Sequence, residues 1–247
     1  MRTVNVGGAY RSARVGGDYY EFICAGDRLL FGLFDIAGDR DQALNLAAFI
    51  QSALRRFAAE DVAVTGNSND GLSEFVLDLN RSILNEEGVH NVPAFLAVFD
   101  EVAETLSYIN AGHTPALLRD QDGIQELAAG GVPLGLFSHV VHEARMMVLR
   151  PGSELLVVSR GVVESKSQGK EFGLEGVRAV LATRGFSSAQ ELCRRVLNAA
   201  ERMRNAPTFW GPRLVFPNFS EQEKDNDLTA IALMRPAVGS TISARAG

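Results

Sequence analysis

The spacing of apolar positions changes along the chain, from short runs typical of strands to helical periodicity and back. Near the N-terminus, three runs rich in β-branched and aromatic residues are separated by turns that contain Gly or Asp. They predict strands over residues 3–10, 19–25 and 28–35. Similar runs predict four or five strands in the middle of the chain and a last strand over residues 227–236. The middle runs are 93–100, 105–112, 115–120, 142–150 and 153–160.

Helical periodicity separates these groups of strands. Residues 41–60 place Leu44, Ile50, Leu54 and Phe57 near helical spacing, which predicts an amphipathic helix. A second helix is predicted over residues 72–87 and ends at Gly88, and two more over residues 174–183 and 188–203. Residues 205–225 carry aromatic side chains without periodicity and are interpreted as a loop. The aromatic residues Phe209, Trp210 and Phe216 suggest either a lid or a partner-binding patch there.

The order of the elements predicts an α+β fold. Hairpin-length connections between consecutive strands favour antiparallel sheets, and the two helical pairs would cover them. No stretch resembles an interdomain linker, so a single domain over residues 1–236 is predicted, followed by a disordered tail over residues 237–247.

Composition excludes several classes of function. The chain has 247 residues, of which 46% are hydrophobic and 22% are charged, as in an ordinary globular protein. Its net charge of −6 argues against nucleic-acid binding, which needs a basic face. Two distant cysteines, Cys24 and Cys193, suggest neither a disulfide framework nor a zinc site. No secretory signal or run of transmembrane length is present, so no membrane partner and a cytoplasmic location are expected.

Two aspartates are the first candidates for chemistry. Asp18 follows two glycines, and Asp35 ends an apolar run just before a turn of small residues. A carboxylate beside buried apolar positions is costly unless it is paired or bound to a metal. The pair therefore suggests an oxygen-ligand site for Mg²⁺ or Mn²⁺. The alternative is that each Asp caps a turn or a helix, and the local pattern alone favours that alternative.

Six motifs in a fixed order resemble one family. The chain is similar to the bacterial PPM-type, metal-dependent protein serine/threonine phosphatases, in the branch of the sporulation phosphatase SpoIIE and the stress-response phosphatase RsbU. The resemblance covers residues 10–234, nearly the whole chain. Its motifs are YRSARVGGDYYEF, GLFDIAGD, LSYINAGHTPALL, GVPLGLF, GSELLVVSRGVVES with EFGLEGV behind it, and NDLTAIAL.

This resemblance implies a fold and a chemistry. The fold would be a β-sandwich of two antiparallel sheets with helices packed outside both, in an αββα arrangement. In the family, two Mn²⁺ or Mg²⁺ ions hold a bridging water that attacks the phosphorus of phosphoserine or phosphothreonine. By position, Asp18 matches the Asp of the Gly-Gly-Asp motif, and Asp35 matches the metal-bridging Asp of the second motif. His113 falls in a motif where the family supports a structural role.

Two other metal-ligand positions depart from the family. Where the family has Thr-Asp-Gly, this chain has Ser-Arg-Gly, so that Arg160 stands at the ligand position. In the last motif, Asp-Asp-x-Thr becomes Asn-Asp-Leu-Thr, so that Asn226 stands there. Asp225 and Asp227 on either side could compensate only poorly, because a shift of one residue along a strand turns a side chain to the opposite face. A guanidinium cannot ligate a cation, so Arg160 is predicted to replace a metal ion and to contact Asp35, Asp18 or both.

Three hypotheses of function follow. The first is a catalytically degenerate phosphatase-fold domain that binds a protein partner in bacterial phospho-signalling, such as a serine-phosphorylated anti-sigma-factor antagonist. The second is an active Mn²⁺- or Mg²⁺-dependent phosphatase with a non-standard ligand set. The third is a single-metal or small-molecule sensor on the same fold. The altered ligands favour the first, with at most one weakly bound Mn²⁺ or Mg²⁺ expected at Asp18 and Asp35.

Overall fold

A computed structural model describes residues 3–12, 17–36, 38, 40–60, 68–86, 91–205 and 226–237. The strands in this part of the chain are β1 (Asn5–Arg11), β2 (Asp18–Ala25), β3 (Arg28–Asp35), β4 (Ala94–Asp100), β5 (Thr105–Ala111), β6 (Ala116–Asp120), β7 (Gly123–Leu127), β8 (Arg145–Val148), β9 (Glu154–Val158), β10 (Lys166–Ser167), β11 (Lys170–Glu171) and β12 (Leu228–Met234). The helices are α1 (Arg40–Glu60), α2 (Ser68–Asn85), α3 (Arg160–Val163), α4 (Gly173–Ala182) and α5 (Ala189–Arg204).

The strands form two antiparallel sheets that face each other. In the described part of the chain, one sheet has the order β1-β12-β9-β6-β7 and the other β2-β3-β4-β5-β8. A shared core joins their inner faces, with Leu33 and Phe95 from one sheet against Leu155, Val157 and Ile231 from the other. The predicted α+β class and antiparallel sheets are therefore confirmed.

Each sheet carries two long helices on its outer face. Helices α1 and α2 pack on the β2–β8 sheet through a core that includes Ile50, Leu54, Ile83 and Leu96. Helices α4 and α5 cover the other sheet, where Leu192 is among the fully buried residues. The placement of the helical pairs on opposite sides agrees with the prediction. Because central strands such as β3 are covered on both faces, they are apolar throughout rather than alternating.

The structure differs from the sequence prediction in its short elements. Strand β7 and the β10–β11 hairpin were not predicted, because their exposed, mostly polar residues give no apolar run. The predicted strand over residues 153–160 ends at Val158. Arg160 instead begins helix α3, where the amide of Val162 donates to the Ser159 carbonyl at 3.0 Å.

Some sequence predictions fall on residues outside the description. Residues 206–225, which include the three aromatic residues of the predicted loop, are not described, and neither are residues 238–247 of the predicted tail. Cys24 is exposed and Cys193 is buried, and both are free thiols. None of the described helices is long and apolar enough to cross a membrane.

A buried asparagine on α2 gives a test of this packing. Asn80 donates to the carbonyl of Phe137 at 2.9 Å and accepts from the amide of Gly135 at 2.8 Å. We expect Asn80→Leu to lower the free energy of unfolding by about 1–3 kcal/mol, because the buried Gly135 amide and the partly buried Phe137 carbonyl lose their partner. Urea unfolding measures this loss. The exposed neighbour Arg81→Ala should change stability by less than about 0.5 kcal/mol, and equal effects of the two variants would contradict this role of Asn80.

Candidate functional site

Asp18 and Asp35 stand side by side at one end of the sandwich. Asp18 begins β2 and Asp35 ends β3, and the two are directly opposite in the antiparallel register. Facing residues of such a pair bring their Cβ atoms to about 4.5–5.5 Å. The two motifs therefore meet at one edge, as the sequence predicted. The assignment of both side chains as metal ligands stays a prediction.

Arg160 reaches this pair from the opposite sheet. Its Nε lies 3.4 Å from Oδ2 of Asp35 and 3.9 Å from Oε1 of Glu164, which follows one turn later. The Arg160 side chain is 53% exposed and that of Asp35 is 15% exposed, so the contact lies at the rim of the site. A cation thus sits where the family resemblance places a metal-ligating carboxylate.

The two carboxylates are stabilised in different ways. Oδ2 of Asp18 accepts a hydrogen bond from the Thr229 hydroxyl at 2.5 Å. The nearby Ser159 hydroxyl donates to the Asp227 carbonyl at 3.3 Å. Burial raises the pKa of Asp18 to about 7, and nearby Asp35 and Asp227 add to the rise while the hydroxyls oppose it. Burial also raises the pKa of Asp35, and the Arg160 charge counters that rise.

Asn226 and Asp227 have separate tasks. The Asn226 amide nitrogen donates to Oε2 of Glu164 at 3.0 Å. Oδ2 of Asp227 accepts from the Tyr10 hydroxyl and from the Gly17 amide, both at 2.9 Å. Asp227 therefore joins the segment before Asp18 to the start of β12 by hydrogen bonds.

A close backbone approach holds the two altered motifs together. A Cβ added at Gly161 would lie 2.0 Å from the Asp227 carbonyl oxygen and 2.9 Å from Cβ of Asn226. Arg204, at the end of α5, bonds both segments as well. Sequence reasoning did not single out Arg204, which no motif marks, or Glu164, whose only signal is its spacing of four residues from Arg160.

His113 lies outside this constellation. It is only 4% exposed, and its Nδ1 lies 3.1 Å from both the carbonyl and the hydroxyl oxygen of Thr114. The Thr114 hydroxyl in turn donates to the Val158 carbonyl, at the end of the strand that precedes Arg160. Burial lowers the pKa of His113 to about 4, so the ring is neutral near pH 7. These contacts favour the structural role that the sequence suggested.

The donor set does not fit a two-metal centre. Across the described residues, no group of three or more His, Cys, Asp or Glu side chains is arranged to hold an ion. Asp35 faces a guanidinium, and Asn226 points its amide nitrogen, a donor, at Glu164. Neither a guanidinium nor an amide nitrogen ligates a hard cation.

Comparison with known proteins gives one family and several relatives. The family model of stage II sporulation protein E (SpoIIE) matches residues 25–233. Protein IcfG of Synechocystis is 28% identical over 201 residues, which are 72% of this chain and 32% of IcfG. The phosphoserine phosphatase RsbP of Bacillus subtilis is 31% identical over 81 residues, which are 32% of this chain and 20% of RsbP. The chain thus spans a third or less of these relatives.

Solved structures share the fold. The PP2C phosphatase domain of SpoIIE from Bacillus subtilis superposes with a TM-score of 0.74 at 16% identity, covering 96% of this chain and 63% of that one. The catalytic domain of the serine/threonine phosphatase PstP, in complex with 2 manganese ions, gives a TM-score of 0.62 at 14% identity, covering 95% of this chain and 100% of that one. The architecture described above is therefore PP2C-like.

The close approach at Gly161 makes a steric prediction. We expect Gly161→Ala to lower the free energy of unfolding by about 1–3 kcal/mol, because its Cβ has no room beside the Asp227 carbonyl. Thermal and urea unfolding measure the change. Gly130→Ala is the matched control, since a Cβ there would meet its nearest neighbour, a nitrogen of Arg145, at an ordinary 3.7 Å. Equal stability of the two variants would show that the segments are not pressed together.

The buried His113 predicts a stability loss in acid. Because the unfolded chain binds this proton more readily, His113 alone should lower the free energy of unfolding by about 3 kcal/mol as the pH drops from about 6.5 to about 4. Asp18, whose pKa is raised to about 7, contributes in the opposite direction over the same range. His113→Gln should remove the His113 contribution, so that its stability relative to the unaltered protein increases as the pH drops, and the exposed control His139→Gln should not show this change. Urea unfolding at a series of pH values makes the measurement. An unchanged slope in His113→Gln would refute the assignment.

Proposed function

Because the chain belongs to the SpoIIE family, we propose that it is a catalytically degenerate phosphatase-fold domain that binds a protein partner in bacterial phospho-signalling. The observation that carries the proposal is the position of Arg160, whose Nε lies 3.4 Å from the Asp35 carboxylate. In the family resemblance, Asp35 is the metal-bridging ligand. Here its charge faces a permanent cation of the chain itself.

Electrostatics support this proposal. A guanidinium stays protonated throughout the physiological range and has no lone pair to offer a metal. A divalent ion on Asp35 would lie within a few ångströms of that positive charge, and their repulsion would weaken its binding. Displacing Arg160 would remove the repulsion but would also remove the contact that offsets the buried charge of Asp35.

Asn226, at the second altered ligand position, would also weaken metal binding. An asparagine contributes a neutral oxygen in place of a carboxylate, which reduces the affinity of an oxygen site for a hard cation. Asn226 is also engaged through its amide nitrogen with Glu164. We propose that Asp18 and Asp35 retain at most one Mn²⁺ or Mg²⁺, and that they bind it weakly.

The partner is proposed from a relative. RsbP, named a phosphoserine phosphatase, aligns with a third of this chain. A serine-phosphorylated regulator, such as an anti-sigma-factor antagonist, is therefore the partner class that we propose, to be bound rather than dephosphorylated. One domain over residues 1–236 would carry this function.

Restoring both carboxylates tests the proposal. The unaltered protein should not hydrolyse p-nitrophenyl phosphate in a Mn²⁺-dependent way. The double variant Arg160→Asp with Asn226→Asp should gain Mn²⁺-dependent hydrolysis and bind Mn²⁺ at least about tenfold more tightly, since it regains two charged ligands. Hydrolysis rates and calorimetric titration with Mn²⁺ provide the readouts.

The matched control carries the same two kinds of substitution away from the site. Arg194→Asp with Asn85→Asp changes exposed residues of α5 and α2 and should gain neither property. Two tightly bound ions in the unaltered protein, together with hydrolysis that Asp35→Asn abolishes, would establish an active phosphatase instead and overturn the proposal.

A further inference from the structure

We propose that Arg204 is a positioning residue for the site: it ties helix α3 to the segment before β12 and thereby holds Arg160 against Asp35. The inference takes from the proposed function only the importance of the Arg160–Asp35 contact. Among the hydrogen bonds of the described residues, none joins Arg204 to the side chain of Arg160 or of Asp35.

The Arg204 guanidinium joins three segments of the chain. Its Nε donates to the Ser165 hydroxyl at 2.9 Å, and its Nη2 donates to the Gly161 carbonyl at 2.9 Å and to the Asn226 carbonyl at 3.1 Å. The Ser165 hydroxyl donates to the same Gly161 carbonyl at 2.8 Å. One side chain at the end of α5 is thus bonded both to the turn that carries Arg160 and to the other altered motif.

Ser159 and Glu164, on either side of α3, already bond the segment around Asn226 and Thr229, and Arg204 adds bonds to the Gly161 carbonyl within α3 and to the Asn226 carbonyl. Helix α3 has four residues, too few to be stable without outside contacts. Strand β9 ends at Val158 and β12 begins at Leu228, so the carbonyls of Gly161 and Asn226 lie beyond the sheet ladder. Charge-assisted donors to such carbonyls are stronger than neutral ones.

The Arg160–Asp35 contact is sensitive to small movements of α3. At 3.4 Å it is an ion pair, longer than the typical N–H···O hydrogen bond of about 2.7–3.2 Å. Glu164, at the other end of α3, is bonded to Asn226 and lies 3.9 Å from Arg160. A movement of α3 that draws Arg160 about 1 Å away from Asp35 would therefore take this pair beyond salt-bridge distance.

The test measures how well the Arg160 side chain is held in place, and it needs neither metal nor substrate. In ¹H–¹⁵N spectra of the full chain, the Arg160 Nε–H signal, identified by its loss in Arg160→Lys, reports exchange with water. We expect Arg204→Gln to speed this exchange by about tenfold, as loss of a charge-assisted tie increases local opening. Arg204→Lys, which keeps the charge but cannot reach three acceptors, should speed it less. Arg202→Gln, an exposed neighbour on α5, should leave the rate unchanged.

The outcomes separate positioning from general stability. If folded Arg204→Gln leaves the Arg160 exchange rate unchanged, the inference is overturned. If Arg204→Gln does not fold, the exchange rate of the Arg160 Nε–H in Arg204→Lys is used instead. If neither variant folds, Arg204 is needed for the fold as a whole, and the inference that it acts only by positioning Arg160 is overturned. Phosphate-ester hydrolysis by the unaltered protein would refute the proposed function and leave this result standing.

Discussion

The pairing of β2 with β3 fixes two carboxylates next to each other, and the rest of the site follows from this constraint. The β2–β3 pairing sets Asp18 opposite Asp35, and strand register cannot slip without turning the apolar residues of both strands out of the core. Two like charges at that separation repel, and burial makes each charge more costly. The fold therefore requires compensation at this edge, from a metal ion or from the chain itself.

The chain supplies the compensation from the opposite sheet. Asp18 accepts a hydrogen bond from the Thr229 hydroxyl, and Asp35 faces Arg160. Thr229 lies near the start of β12 and Arg160 in the turn beyond β9, so the two sheets meet at the site. We interpret the site as a polar junction between sheets that keeps the phosphatase architecture while its metal chemistry is reduced. The proposed binding of a protein partner would use that architecture and would not need the metals.

The sequence predicted the long elements and the principal contact. Continuous apolar runs such as residues 28–35 and 93–100 identified central strands, and the order of motifs placed Asp18, Asp35 and Arg160 at one edge. The short elements were not predicted, because β7 is exposed and polar and α3 has only four residues. The predicted strand over residues 153–160 is present as β9, but its predicted end at residue 160 was wrong, because the Ser159 carbonyl accepts from the Val162 amide and turns the chain into α3. Arg204 could not be predicted, since its acceptors are mainly backbone carbonyls that no side-chain pattern reveals.

The most direct test of the account is a crystal structure of the protein grown with excess Mn²⁺, with anomalous data collected near the manganese edge. We expect Arg160 to remain within salt-bridge distance of Asp35. We also expect the anomalous map to show at most one weak peak beside Asp18 and Asp35. Two strong peaks bridged by Asp35, with Arg160 turned to solvent, would contradict it and identify a working two-metal centre.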